Sequence, residues 1–240
     1  MSDPEQEFFT QLLAQQKIAY EEYQYLLALK ERADDLEDML EGGNTEFSVP
    51  LPGTLAKTPG LAVVVGHTKK RPGAKGVAPI DAHEYSFNSD LAESIYDYCQ
   101  KRGVRSEVFT RDGKGIAGAY KEAVVWGATF AVELHFNAFN RSANGTETLY
   151  DNENHRDAIT WASHLQDRIL KAVKLRDRGL KRVSKGGRGY RSLSAASIPI
   201  AIVELFFGDN PFDASVGVEK KSDIAEAIAD AAASFTATAS

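Results

Sequence analysis

The 240-residue sequence has a single cysteine, Cys99, and no long uninterrupted apolar segment. One cysteine excludes an internal disulfide framework and a cysteine-rich zinc ribbon, and it fits folding in a reducing cytosol. The longest compact apolar run, Leu61–Val65, is far shorter than the about 18 residues that a membrane span requires. The sequence therefore predicts no membrane span.

The sequence also lacks an excess of basic residues. Lys and Arg number 28 against 34 Asp and Glu, which gives a formal net charge of −6 at pH 7. An acidic balance argues against a nucleic-acid partner. The opening residues, MSDPEQEFF, show neither the basic region nor the apolar core of a signal peptide. We therefore expect synthesis in the cytoplasm without an export signal of the chain's own.

The N-terminal part of the sequence predicts a helical arm at residues 1–42. From residue 5 onward it is rich in helix formers, and Gly42 and Gly43 end the pattern. Apolar residues recur there at alternating spacings of three and four, as is typical of a coiled coil. They are Leu26, Leu29, Ala33, Leu36 and Leu40. The arm either pairs with a helix of a second copy or a docking partner, or it lies back on its own domain.

Residues 43–60 are rich in glycine and proline and are predicted to be a linker. Residues 61–240 then alternate between strand and helix patterns. This alternation predicts an α/β domain with a single mixed, mostly parallel sheet flanked by helices. We expect strands at 61–65, 104–110, 128–134 and 198–205, and helices at 86–102, 116–126, 155–172 and 223–235.

Two histidines follow the predicted strands. His67 lies just past the first strand, and His135 lies at the end of the third. Ligands bind at strand ends in open α/β sheets, so we expect these side chains to converge. Together with Glu84 they would form the two-histidine, one-glutamate set that zinc uses when a position stays open. Spacing alone does not choose Glu84 over His83 or Glu133, and a strand-end histidine can also be a hydrogen-bonded structural residue.

Glu204 lies within the apolar segment IPIAIVELFF. Burying a carboxylate is costly unless it is paired, bound to metal or used in acid–base chemistry. Zinc bound nearby would bring the pKa of its water close to 7 and polarise a carbonyl. Glu204 would then be the general base that takes the proton of that water.

Several segments in this region resemble one enzyme family in the right order. They are VVVGHT with GAKG, then EYSFN, ELHFNA, GTETLY, DRGLK and IPIAIVELFFGDNPFD. From about residue 61 to its C-terminus the chain resembles the zinc-dependent N-acetylmuramoyl-L-alanine amidases of the type 3 amidase family. Two departures are Thr68, where the family commonly has glycine, and Glu133, where serine is usual.

The resemblance implies that 61–240 is an amidase catalytic domain. It implies one Zn²⁺ held by His67, Glu84 and His135, with Glu204 as the catalytic glutamate. Asn137 falls on the family's asparagine, which implies support of a metal ligand or a contact to substrate. The implied partner is peptidoglycan, whose amide bond between N-acetylmuramic acid and L-alanine would be hydrolysed. Such a cell-wall lytic enzyme, for example an endolysin from a phage or a toxin of a delivery machine, would act after release or delivery.

Two alternatives remain at this point. The glycines Gly113, Gly115 and Gly118 form G-x-G-x-x-G, and Glu133 stands where an acid that binds a ribose would lie. This pattern would predict a dinucleotide-binding oxidoreductase, although it follows the second strand of the domain. The other alternative is a non-catalytic structural or binding protein that keeps the amidase fold in a larger assembly.

A segment rich in Lys, Arg and Gly spans residues 176–191. It would suit a mobile loop beside the site, where it would meet a phosphate or the carboxylates of a peptide, or simply a solvated loop.

Overall fold

The computed structural model describes residues 59–151 and 153–238. The predicted arm at 1–42 and nearly all of the linker at 43–60 lie outside these residues and stay predictions. The strands are β1 (Gly60–Val65), β2 (Arg105–Phe109), β3 (Phe130–Asn137), β4 (Thr146–Tyr150), β5 (Asp177–Arg182) and β6 (Ile200–Phe207). The helices are α1 (Glu84–Lys101), α2 (Gly115–Trp126), α3 (Ala158–Val173), α4 (Tyr190–Leu193), α5 (Pro211–Glu219) and α6 (Lys221–Thr238).

The six strands form one mixed sheet in the order β2-β1-β3-β6-β4-β5. Neighbouring strands are parallel except β4 and β6, which are antiparallel. The predicted fold class, a single and mostly parallel sheet flanked by helices, is thus confirmed. Every residue of β1, β3 and β6 is buried, as expected for parallel strands covered on both faces.

Alternate residues of β1 contribute to two separate cores. Leu61, Val63 and Val65 pack with apolar residues of α1, α3 and α6 on one face of the sheet. Ala62 and Val64 pack with apolar residues of α2 and α4 on the other face. This two-sided burial fixes the strand register, because a slip by one residue would exchange the two faces.

The longer predicted elements occur within a few residues of their expected positions. The third strand extends further than expected, to Asn137, so His135 lies within it. Two strands, β4 and β5, and the short helices α4 and α5 were not predicted. The sequence of β5, DRGLKR, is mostly polar and lies at the sheet edge, where the strand pairs with β4 and Leu180 packs against the apolar core.

In the described part of the chain no helix is both long and apolar enough to cross a membrane.

Candidate metal and catalytic site

Three predicted ligands meet at the end of the parallel strands. His67 follows β1, Glu84 is the first residue of α1, and His135 lies in β3. The Nε2 atom of His67 is 3.1 Å from Oε2 of Glu84, and Nδ1 of His135 is 3.3 Å from Oε1 of the same carboxylate. One ligand atom from each residue lies within 4.8 Å of the others. The cluster therefore has the size and the donors to hold a metal ion.

Backbone amides fix the carboxylate of Glu84 between the two histidines. The N–H of Ala74 donates to Oε2 at 2.8 Å, and the N–H of Phe136 donates to Oε1 at 3.2 Å. Burial raises the pKa of Glu84, but His67 and His135 outweigh this effect and hold the pKa well below its usual range. The carboxylate of Glu84 is therefore oriented and ionised, as a metal ligand must be.

Two glycines let the backbone approach these side chains closely. A Cβ atom on Gly66 would lie 2.4 Å from the ring of His135. A Cβ on Gly73, where φ is +78°, would lie 2.5 Å from Oε2 of Glu84 and 2.7 Å from Cδ2 of His67. Both contacts are shorter than side chains tolerate. Glycine at these positions therefore leaves the room that the three ligands occupy.

The other two candidates for the third ligand are engaged elsewhere. Nδ1 of His83 lies 3.0 Å from the carbonyl oxygen of Gly73. Glu133 contacts His135 through Nε2, at 3.0 Å, on the side of the ring away from the Glu84 contact. The tertiary structure thus brings Glu84, and neither His83 nor Glu133, between the two histidines.

Two buried carboxylates, those of Glu84 and Glu133, form hydrogen bonds with the ring of His135. Burial alone would lower the pKa of this imidazole, but the hydrogen bonds with Glu133 and Glu84 raise the pKa to about 10. In the metal-free protein at neutral pH the ring therefore carries a proton that a metal ion must displace.

Glu204 lies beside this cluster, on β6. It is the register partner of His135 on the adjacent parallel strand, so both side chains point to the same face of the sheet. Only 1% of the residue is exposed. Nη2 of Arg188 lies 2.6 Å from its Oε1, whereas its Oε2 accepts no hydrogen bond from any described residue. Burial raises the pKa of Glu204 to about 7, although Arg188 and His135 lower it.

Asn137 is buried two residues beyond His135. Its amide donates to Oε1 of Glu147 at 3.1 Å, and Nε of Arg178 donates to Oε2 of that glutamate at 2.8 Å. Glu147 is in turn the register partner of Glu204 between β4 and β6. Asn137 is thus joined to a polar network behind the catalytic candidate, and its contact to substrate stays a prediction.

Sequence reasoning missed Arg188 as a residue of the site. Arg188 belongs to the basic segment 176–191, whose function the sequence left open, and it lies between Gly187 and Gly189. The density of cations and glycines was the available signal. The pairing of Arg188 with Glu204 had no signal in the sequence, because no spacing pattern connects the two residues.

The geometry does not favour the dinucleotide alternative. Glu133, the proposed ribose ligand of that motif, is 1% exposed. Its carboxylate contacts Arg111, Tyr120, Ser192 and His135. It is therefore not available to a ribose at the glycine loop.

Comparisons with known proteins found one matching family model and several similar solved structures. The family model described as N-acetylmuramoyl-L-alanine amidase matches residues 61–234. Among solved structures, Cwp6 from Clostridium difficile has a TM-score of 0.66 at 22% identity, with 72% of this chain and 28% of Cwp6 covered. The chain thus spans little more than a quarter of Cwp6.

Two further similar structures are catalytic domains. That of CwlV, an N-acetylmuramoyl-L-alanine amidase from Bacillus (Paenibacillus) polymyxa var. colistinus, has a TM-score of 0.62 at 20% identity over 72% of this chain and 96% of that one. The catalytic domain of the CD27L endolysin, which targets Clostridia difficile, has a TM-score of 0.59 at 22% identity. The match covers 72% of this chain and 96% of that domain. At these sequence identities, the similarity shows that the chain and these proteins share a fold. No curated protein matches the chain.

Proposed function

Because the chain belongs to the N-acetylmuramoyl-L-alanine amidase family, we propose that it is a zinc-dependent peptidoglycan hydrolase. Its substrate is the amide bond between the lactyl group of N-acetylmuramic acid and the L-alanine of the stem peptide. One Zn²⁺ is held by His67, Glu84 and His135, and Glu204 is the catalytic residue. The non-catalytic alternative has no specific observation in its favour.

The observation that carries this proposal is the pairing of the ligand cluster with an adjacent buried carboxylate. Two imidazoles and one carboxylate are the protein ligands of hydrolytic zinc sites that keep a position open. The fit is supported by the preset orientation of Glu84 and by the two close glycines, Gly66 and Gly73. Bound zinc supplies a Lewis acid that polarises the scissile carbonyl and makes water a stronger acid.

The chain's own residues supply the proton transfers. Arg188 holds Oε1 of Glu204 at 2.6 Å, which leaves Oε2 to accept a proton from the attacking water. A buried carboxylate with a pKa near the working pH is suited to this task and can return the proton to the leaving amine. Burial at 1% exposure keeps bulk water from competing for that oxygen.

The proposal extends to the biological setting. The fold similarity to an endolysin catalytic domain supports a lytic enzyme that acts on the cell wall after release or delivery, in association with a phage or a delivery machine. The predicted arm at 1–42 is then the segment that would oligomerise or dock.

The test uses the full chain incubated with purified peptidoglycan, with and without a metal chelator. Mass spectrometry should find new L-alanine amino termini and free carboxyl groups on the lactyl groups of N-acetylmuramic acid, and chelation should abolish both. Glu204→Gln should lose turnover but retain zinc, whereas His135→Ala should lose zinc. Full hydrolysis by Glu204→Gln, or hydrolysis that ignores the chelator, contradicts the proposal. Bound zinc without any hydrolysis would instead favour a non-catalytic binding protein.

A further inference from the structure

A second buried glutamate, Glu133, lies beside the ligand cluster and has no task in the proposed reaction. It is on β3, two residues before His135, and both side chains therefore point to the same face of the sheet. Oε1 of Glu133 lies 3.0 Å from Nε2 of His135, and Nη1 of Arg111 lies 3.3 Å from the same oxygen. Only 1% of Glu133 is exposed.

Two hydroxyls complete the surroundings of this carboxylate. Ser192 donates to Oε1 at 3.0 Å, and Tyr120 donates to Oε2 at 2.9 Å. Tyr120 lies on α2, Ser192 on α4 and Arg111 just after β2, so three separate elements hold Glu133 in one orientation. A side chain that orients another residue must itself be held in one orientation, and these contacts do so for Glu133.

The chemistry of these partners decides which nitrogen of His135 carries a hydrogen. An ionised carboxylate only accepts hydrogen bonds, and the guanidinium of Arg111 keeps Glu133 beside a permanent positive charge. The imidazole must therefore donate its Nε2–H to Glu133. Nδ1, the other nitrogen of the ring, lies 3.3 Å from Oε1 of Glu84 and so faces that candidate ligand.

We propose that Glu133 is a positioning residue for the metal site, which holds the Nε2–H of His135 so that Nδ1 is presented to the zinc. This inference rests on the proposed function, because it assumes that the cluster binds zinc. Metal-binding histidines commonly donate their second N–H to a carboxylate, which orients the ring and strengthens the ligand. Removal of such a carboxylate typically weakens metal binding by about 10- to 100-fold.

A purely structural role for Glu133 makes a different prediction. If the carboxylate only neutralises Arg111, then its replacement lowers stability and leaves zinc affinity unchanged in the folded protein. Glu147 offers a matched control, because it is also a buried β-strand glutamate paired with an arginine, Arg178. Its carboxylate accepts hydrogen bonds from Asn137 and Arg178.

The first measurement is zinc affinity by competition with a chromophoric chelator, made on the full chain. We expect Glu133→Gln to weaken zinc binding by about 10- to 100-fold and Glu147→Gln to change it much less. Tyr120→Phe removes one hydrogen bond and keeps the carboxylate, so we expect a loss of a few-fold and a folded protein. Unchanged affinity in both Glu133→Gln and Tyr120→Phe would overturn the proposal.

The second measurement is the protonation pattern of His135 in the zinc-loaded chain. Imidazole ¹⁵N shifts of histidine-labelled protein, assigned by comparison with His135→Asn, should show hydrogen on Nε2 and metal on Nδ1. Metal on Nε2 would overturn the inference even if the enzyme is active. A wild-type chain that binds zinc but leaves peptidoglycan intact would instead refute the proposed function and not this arrangement. A wild-type chain that binds no zinc would refute both.

Discussion

At the scale of the residue, the site depends on how each buried carboxylate is partnered. Glu84 has two backbone donors and two histidines, Glu133 has four side-chain partners, and Glu204 has one arginine and one oxygen without a described partner. The burial of all three is comparable. Their pKa values nevertheless separate: those of Glu84 and Glu133 are lowered, and that of Glu204 is raised to about 7. This difference in partners fits the proposed roles of Glu84 as metal ligand, Glu133 as support of a ligand and Glu204 as proton acceptor.

Arg188 sets how readily Glu204 gives up its proton. Its guanidinium favours the ionised carboxylate and lowers the pKa of Glu204 against the effect of burial. We expect Arg188→Met to raise that pKa and to move the acid limb of the kcat/KM profile to higher pH by about 1 pH unit or more. Arg188→Lys should move it less, because the charge remains.

The control for this prediction is Lys185→Met, which removes an exposed cation from the same basic segment. Its pH profile should match that of the wild type. An unshifted profile in Arg188→Met would mean that the ion pair does not control the base.

At the scale of the element, the site is built where loops pass close to strand ends. The segment between β1 and α1 carries His67 and returns to place Ala74 against Glu84 at the start of α1. Gly73 makes this return possible because it combines a positive φ with a close approach to two of the proposed ligands. In the proposed site this loop therefore positions ligands as well as connecting two elements.

Gly73→Ala should damage the metal site as well as the fold. The left-handed backbone alone costs about 1–2 kcal/mol of stability for a residue with a Cβ atom. The new atom would also lie 2.5 Å from Oε2 of Glu84 and 2.7 Å from Cδ2 of His67. We expect chemical unfolding to show a loss of that size and calorimetry to show zinc affinity reduced by at least about 10-fold.

Gly103→Ala is the matched control, because Gly103 has a φ of +66° but a Cβ there would have no neighbour within 4 Å. It should lose similar stability and keep its zinc affinity. Equal zinc affinity in the two variants would show that the approach of Gly73 to the ligands is not critical.

At the scale of the whole molecule, the proposed zinc site would couple metal binding to folding. The pKa of His135 is raised to about 10 in the metal-free fold, from an ordinary value of 6.5, chiefly because Glu133 and Glu84 outweigh burial. The folded state thus holds a proton that the unfolded state loses above about pH 6.5. The stability from this group is complete below that pH and is lost as the pH rises toward 10.

We therefore expect the metal-free chain to lose stability between pH 7 and pH 9, by at most about 1.4 kcal/mol per pH unit. Urea unfolding in the presence of a chelator measures this slope. The slope should be much smaller in His135→Asn and in the zinc-saturated wild type, where the proton has been displaced, because Glu204, with a pKa of about 7, contributes only near pH 7. A slope of unchanged size in His135→Asn would assign it to another group.

The sequence alone determined the fold class and placed candidate site residues at the strand ends. Continuous apolar runs predict buried parallel strands, and β1, β3 and β6 are buried throughout. His67, Glu84, His135 and Glu204 were proposed as site residues from their positions at strand ends, at a helix start and within an apolar run, with His83 and Glu133 left open beside Glu84. Such signals are local, because burial and periodicity are properties of neighbouring residues.

Only the tertiary structure decided the partners of these residues. Ser192 donates to Glu133 across 59 positions of sequence, and Arg188 pairs with Glu204 from a loop whose composition suits solvent equally well. The choice of Glu84 over His83 likewise depends on where the turn at Gly73 places each side chain. Contacts of this kind arise when separate elements pack on one sheet, and they leave no periodic trace in the chain. The sequence therefore determined which groups are candidates for the chemistry, and the packing of elements decided how each one is oriented and charged.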